Sequence, residues 1–195
     1  MADYTAIVEA GEALIELLRD GMTPEPISNR ELISMCSPHE SENNQLTVYL
    51  FHMEDDRQGG QDGYYQYSND VQKRRASQFN LSFLITAHSK APSHMKEADR
   101  YRMIGALVQV IKDNPVLPRE LLRGSLADTG AELHLSVERP NFEQMIKIWN
   151  NTSSPYKLSI VCKIAGVSID SKLTRTVRRV VDVAIDVNTK PAGNG

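Results

Sequence analysis

The stretch Leu133-His134-Leu135-Ser136-Val137, Glu138-Arg139-Pro140-Asn141, Phe142-Glu143-Gln144-Met145-Ile146-Lys147-Ile148-Trp149, continuing through Asn150 to Ile164, decides the fold. It predicts a strand, a short helix, a Ser154-Pro155-Tyr156 turn and a second strand. Asn141 is placed to cap the helix, and Gln144 to return the bond in a capping box. Phe142, Met145, Ile146 and Trp149 then share one helical face. That face needs a sheet to lie on, and the flanking strands supply one. The first alternates Ala131, Leu133, Leu135 and Val137 against Glu132, His134, Ser136 and Glu138. The second carries Tyr156, Leu158, Ile160, Cys162 and Ile164 inward, then changes phase to Val167 and Ile169 after Gly166, which predicts a bulge.

Upstream, Tyr4, Ile7, Val8, Gly11, Leu14, Ile15 and Leu18 have helical spacing, so a helix is expected over about 3–19, ended near Gly21. Pro24 and Pro26 force an extended segment, and 28–45 reads as irregular with an apolar island at Leu32, Ile33 and Met35. Leu46–Met53 is a strand apolar on both faces, the mark of a central or doubly covered strand. Residues 54–78 form a long polar loop, and Phe79–Ala87 returns as an antiparallel partner strand. A second helix is expected over 96–112, with Tyr101, Ile104, Leu107, Val108 and Ile111 inward, and one more helical turn between Pro118 and Gly124. Val177, Val181, Val183, Ile185 and Val187 share a parity opposite Asp182 and Asp186, predicting a last strand before a tail from Asn188. Strands and helices do not alternate strictly. The fold class is therefore α+β, a single domain with a mostly antiparallel sheet of about five strands and three helices packed against it.

Composition narrows the function. In 195 residues the hydrophobic fraction is 41% and the charged fraction 24%, ordinary for a globular chain able to bury a core. A net charge of -3 argues against a general nucleic-acid binder, whose surface must be basic. Two cysteines, Cys36 and Cys162, are too few for a disulfide framework and read as reduced thiols. The opening Met-Ala-Asp-Tyr lacks a signal peptide's basic and apolar regions, and no apolar run approaches a membrane span. The expectation is a chain made in a cytoplasm, with no membrane insertion.

No catalytic constellation is visible. His39, His52, His88, His94 and His134 match no ligand spacing, and the Cys36/His39 pair has no second pair to complete a zinc site. Ser154 reads as a turn serine, and Gly59-Gly60 with Gly63 precedes no lysine-bearing helix. Glu54-Asp55-Asp56 reads as a solvated loop edge. Neither metal, cofactor nor enzymatic activity is expected. Two features suit binding. One is Lys73-Arg74-Arg75 with Tyr64, Tyr65 and Tyr67, a mixture that fits a single-stranded nucleic acid or an acidic protein surface. The other is the C-terminal arm, with Lys172, Arg175, Arg178 and Arg179 ahead of Val181, Val183 and Ile185, a strand suited to joining a partner's sheet.

A set of motifs in order carries a resemblance: Met1-Ala2-Asp3-Tyr4-Thr5-Ala6-Ile7, Met22-Thr23-Pro24-Glu25-Pro26-Ile27, Cys36-Ser37-Pro38, the strand Leu46–Phe51, Phe83-Leu84-Ile85-Thr86-Ala87-His88-Ser89, Asp113-Asn114-Pro115-Val116-Leu117-Pro118, Ile148-Trp149 and Ser154-Pro155-Tyr156-Lys157-Leu158-Ser159. Over residues 1–170 the chain resembles the terminal cap proteins of phage-tail-like contractile injection systems, of the antifeeding-prophage and Photorhabdus virulence-cassette type. The resemblance implies a cap domain over 1–170 and an arm over 171–195. It also implies a six-fold ring that ends the inner tube, meets the last sheath ring, and travels from the cytoplasm into the injection particle. Its partners would be itself, the tube protein and the sheath protein, with no nucleic acid. The arm from Arg175 to Val187 is expected on the sheath, and the 57–75 loop on the tube or a neighbouring subunit. Two alternatives stand beside this: a terminator of the tube only, and a single-stranded nucleic-acid module using residues 64–75.

Overall fold

In chain order the helices are α1 (Ala6–Met22), α2 (Lys96–Asp113), α3 (Gly124–Ala127) and α4 (Phe142–Asn150). The strands are β1 (Ile33–Met35), β2 (Leu46–Asp55), β3 (Tyr64–Gln66), β4 (Val71–Arg74), β5 (Ser77–Ala87), β6 (His134–Glu138), β7 (Ser159–Ile169) and β8 (Thr174–Thr176). The structure is a computed structural model that describes residues 2–40, 43–56, 63–150, 152 and 155–177. The chain divides into two units. One takes in β1, β2, β5, β6, β7 and the four helices, and the other β3, β4 and β8.

The first unit is built on a five-stranded sheet in the order β1-β2-β5-β7-β6, in which only β1 and β2 run parallel. Alternation along β5 supplies two apolar faces. Phe83 and Ile85 point to the side where Leu14 and Leu18 of α1 and Met103 and Leu107 of α2 close the main core. Leu84 points to the other side, where Met145 and Trp149 of α4 cover it together with Val161. Each fully buried Leu or Phe contributes about 1.5–3 kcal/mol by leaving water. The mostly antiparallel sheet with helices packed on it is the α+β class expected, with α3 as a fourth, one-turn helix.

Several local expectations are met. Asn141 Oδ1 accepts from the Gln144 N–H at 2.9 Å, and Gln144 Oε1 accepts from the Asn141 N–H at 2.8 Å, so the capping box is formed. The β5–β7 register slips between Phe79↔Val167 and Leu81↔Ile164, which places the bulge at Ala165–Gly166. Gly166 has φ +92°, and a Cβ there would sit 2.9 Å from the Glu132 carbonyl oxygen.

Others are corrected. α1 runs one residue past Gly21, where a Cβ would meet Val110 of α2 at 2.6 Å. The helix stops at Met22, since Thr23 precedes a proline and is extended. The buried face of α2 is Met103, Leu107, Val110 and Ile111, while Tyr101 is 60% exposed. The bare backbone at Gly21 makes room for Val110. The apolar island near Ile33 is the edge strand β1, too short for a period to show. Part of the 54–78 loop folds as β3 and β4. The helical turn expected between Pro118 and Gly124 is met by the 3₁₀ turn Arg119–Leu121, and α3 follows it. Phe142 is not part of the buried face of α4. It is 73% exposed and meets Tyr156 edge-on at 6.3 Å. The Ser154 end of the expected turn, and the expected last strand from Arg178 onward, lie outside the described residues.

Candidate functional site

The second unit holds the described part of the expected binding surface. β3 and β4 form a hairpin closed by the Tyr67 N–H to the Val71 carbonyl (2.9 Å), and β8 adds to the far side of β4. Tyr64 pairs with Arg74, Tyr65 with Lys73, and Gln66 with Gln72; Gln72 and Lys73 pair in turn with Arg175 and Thr174. Cross-strand partners share a face, so Tyr64, Gln66, Gln72, Arg74 and Arg175 lie on one face and Tyr65, Lys73 and Thr174 on the other.

On the first face the polar groups are joined in a line. The Arg175 guanidinium stands 4.2 Å from the centre of the Tyr64 ring, and its Nε donates to Gln72 Oε1 at 2.9 Å. Gln72 Nε2 donates to Gln66 Oε1 at 3.1 Å. Such a cation over an aromatic face is worth about 0.5–1 kcal/mol at an exposed site, and here it orients the arginine. The three basic residues 73–75 are not one patch. Lys73 is only 8% exposed, on the face opposite Arg74, while Arg75 donates its N–H to the Gly63 carbonyl at 2.9 Å. Tyr67 is exposed at the hairpin tip. Arg178, Arg179, Val181, Val183 and Ile185 lie outside the described residues.

In the first unit a cleft of about 370 Å³ lies between α1, β1 and the Leu121–Arg123 stretch, lined by Glu9, Glu12, Glu16, Arg19 and Met35 among others. Two of its carboxylates, Glu9 and Glu16, are engaged in structure. Burial pushes the Glu9 carboxyl up, but hydrogen bonds from Thr5, Leu126 and Ser125 outweigh it and hold the pKa below the usual value. Hydrogen bonds from Arg19 and the charge of Arg30 do the same for Glu16. Arg19 also donates to the Ile33 carbonyl at 2.9 Å, which ties α1 to β1.

Among the described residues no group of three or more His, Cys, Asp or Glu side chains is placed to hold a metal. Asn44 donates to the Cys36 thiol at 3.4 Å, and burial pushes the Cys162 thiol up to about 12. No helix among the described residues is long and apolar enough to cross a membrane. These groups can bind and orient; they do not converge on a reacting atom. One feature escaped the sequence reading: the far half of β2, His52 to Asp55, is exposed and has no strand on its outer side among the described residues. An apolar run that reads as a central strand hides it.

The model of the Pvc16 N-terminal domain family matches residues 9–182. Among solved structures, the chain is similar to the sheath/tube terminator of the extracellular contractile injection system PVC in its extended state. The TM-score is 0.65 at 15% identity, over 100% of this chain and 67% of that one. It is also similar to the tube-terminating cap of the anti-feeding prophage, with a TM-score of 0.60 at 16% identity over 92% of this chain and 61% of the other. At these identities the likeness is one of fold, and the chain spans about two thirds of each structure's length. No curated protein matches the sequence.

Proposed function

The chain belongs to the Pvc16 N-terminal domain family, and from that membership we propose that it is a terminator of a contractile, phage-tail-like injection particle. Six copies form a ring that closes the end of the inner tube and holds the last ring of sheath. The protein assembles in the cytoplasm and leaves it as part of the particle. The observation that carries this reading is the family match from residue 9 to 182, joined to a fold shared across the whole chain with a sheath/tube terminator.

The chemistry is consistent with a structural part. Several of the described polar groups hold elements together, as Glu9 holds α3 and Arg19 holds β1. The Tyr64–Arg175 face of the second unit suits protein binding, since Tyr and Arg carry much of the energy at interfaces and Arg175 is already held by Tyr64 and Gln72. The strand register weakens the nucleic-acid alternative. Lys73 is buried and Arg74 faces the opposite side, so residues 64–75 present no continuous basic track for a phosphate backbone.

The test is location. With a short histidine tag ahead of Met1, nickel-gold should mark one end of every particle and nothing else. Label along the shaft, at both ends, or absent from particles that carry sheath and tube would overturn the reading.

A further inference from the structure

The outer side of α1 carries apolar groups where a surface helix is ordinarily polar. Tyr4, in the turn ahead of the helix, is 73% exposed, and Val8 is 46% exposed. Glu12 follows Val8 by four residues, so the two are neighbours on that side, and Glu12 is exposed as well. Glu9 and Glu16 are held by partners within the chain. Among the described residues Glu12 has neither a hydrogen bond nor an ion pair.

A second exposed patch lies on α4 and the segment after it. Tyr156 is 47% exposed and stands edge-on to two rings, the exposed Phe142 at 6.3 Å and Trp149 at 5.8 Å. Trp149 is buried against Leu84 and Val161, so the patch is anchored to the sheet. Lys157 comes next in the chain, half-buried. Its ammonium is 3.3 Å from His88 Nδ1, and His88, with a pKa of about 4, is neutral near pH 7. An ammonium has three donors, and among the described residues Lys157 meets no carboxylate. Burial, then the charge of Arg100, lowers its pKa, as expected of a cation without a counter-ion.

Each patch lacks what the other carries. One joins apolar groups to an unpaired acid, and the other joins aromatic rings to a cation with no acid beside it. We infer that the outer side of α1 of one copy packs on the Phe142–Tyr156 patch of the next, with Glu12 reaching the Lys157 ammonium. α1 closes the core on one face of the five-stranded sheet and α4 covers the other face. The two patches of one copy therefore cannot both face the same neighbour, and the contact runs head-to-tail, the kind that closes into a ring. Exposed aromatic rings at its centre suit an interface, where Tyr and Trp carry much of the energy. The inference rests on the ring proposed above and supplies the joint between its subunits.

Full-length protein in assembled particles gives the test. In a Cys36→Ser background, where Cys162 is buried, Val8→Cys is combined with Phe142→Cys or with Tyr156→Cys. All three positions are exposed, so the fold should stand, and the sheet between α1 and α4 leaves a link possible only between copies. Mild oxidation should give a ladder of disulfide-linked cap subunits with one of the two pairs. Glu12→Lys or Lys157→Glu alone should cut the share of particle ends that carry a cap about tenfold, and the two together should restore it, as a specific ion pair requires. Capped particles with no link between cap subunits, or with a link to tube or sheath, overturn the joint and leave the ring standing. Single substitutions without effect, or a double substitution without rescue, do the same. Unsubstituted particles whose ends carry no cap overturn both.

Discussion

His88 stands just past β5, at the end of the sheet where β2 begins. Its Nε2 is 3.0 Å from Thr47 Oγ1, and its Nδ1 is 3.3 Å from the Lys157 ammonium. Burial, then the charges of Lys157 and Arg100, bring its pKa down to about 4 from 6.5. The sign follows from proton counting. Below 6.5 the unfolded chain takes up a proton that the folded imidazole refuses, so stability falls as pH drops and levels off near 4. At this buried site the loss between pH 7 and pH 5 is roughly 2 kcal/mol. Urea unfolding at pH 7 and pH 5 should show that difference, and His88→Gln should remove most of it; an unchanged pH slope in the variant contradicts the assignment. Nothing in the sequence marks His88 for this, because its partners come from positions 47, 100 and 157. Gly166 was different. The change of apolar phase around it announced the bulge, and its positive φ supplies the reason.

Among the elements, α4 was the most legible. Asn141, Gln144, Met145 and Trp149 lie within nine residues, so cap and buried face could both be read locally, and the Trp149 Nε1–H completes the site by donating to Ser159 Oγ at 3.1 Å. Asn141→Ala removes an N-cap acceptor and should cost about 1 kcal/mol of stability, read as a shift in denaturation midpoint with an unchanged slope. A cost near zero would mean the box does not hold the helix. The edge strand β1 and the hairpin of β3 and β4 were not legible for a physical reason. Three residues cannot show a period, and β3 is exposed on both faces, so no apolar alternation exists to be read. The burial of Val110 in α2 was hidden for another reason. It depends on Gly21, 89 positions from the Val110 it admits.

At the scale of the molecule, the α+β class followed from the order of strands and helices, and the antiparallel sheet bears it out. Family membership rests on the match over 9–182, a span that takes in the motifs read in the sequence from Met22 onward. The binding surface was legible only in part. The sequence joined Lys73, Arg74 and Arg75 into one patch, while the register of β4 sends Lys73 and Arg74 to opposite faces. Among the described residues β1 covers β2 only as far as Val48, a matter of topology that no local stretch announces. The most direct test of the terminator claim is the length of particles by negative-stain electron microscopy, with and without this gene in its own cluster. The account predicts uniform capped particles with the gene, and over-long, open-ended or sheathless tubes without it. Particles of unchanged length and closed ends in its absence would contradict it.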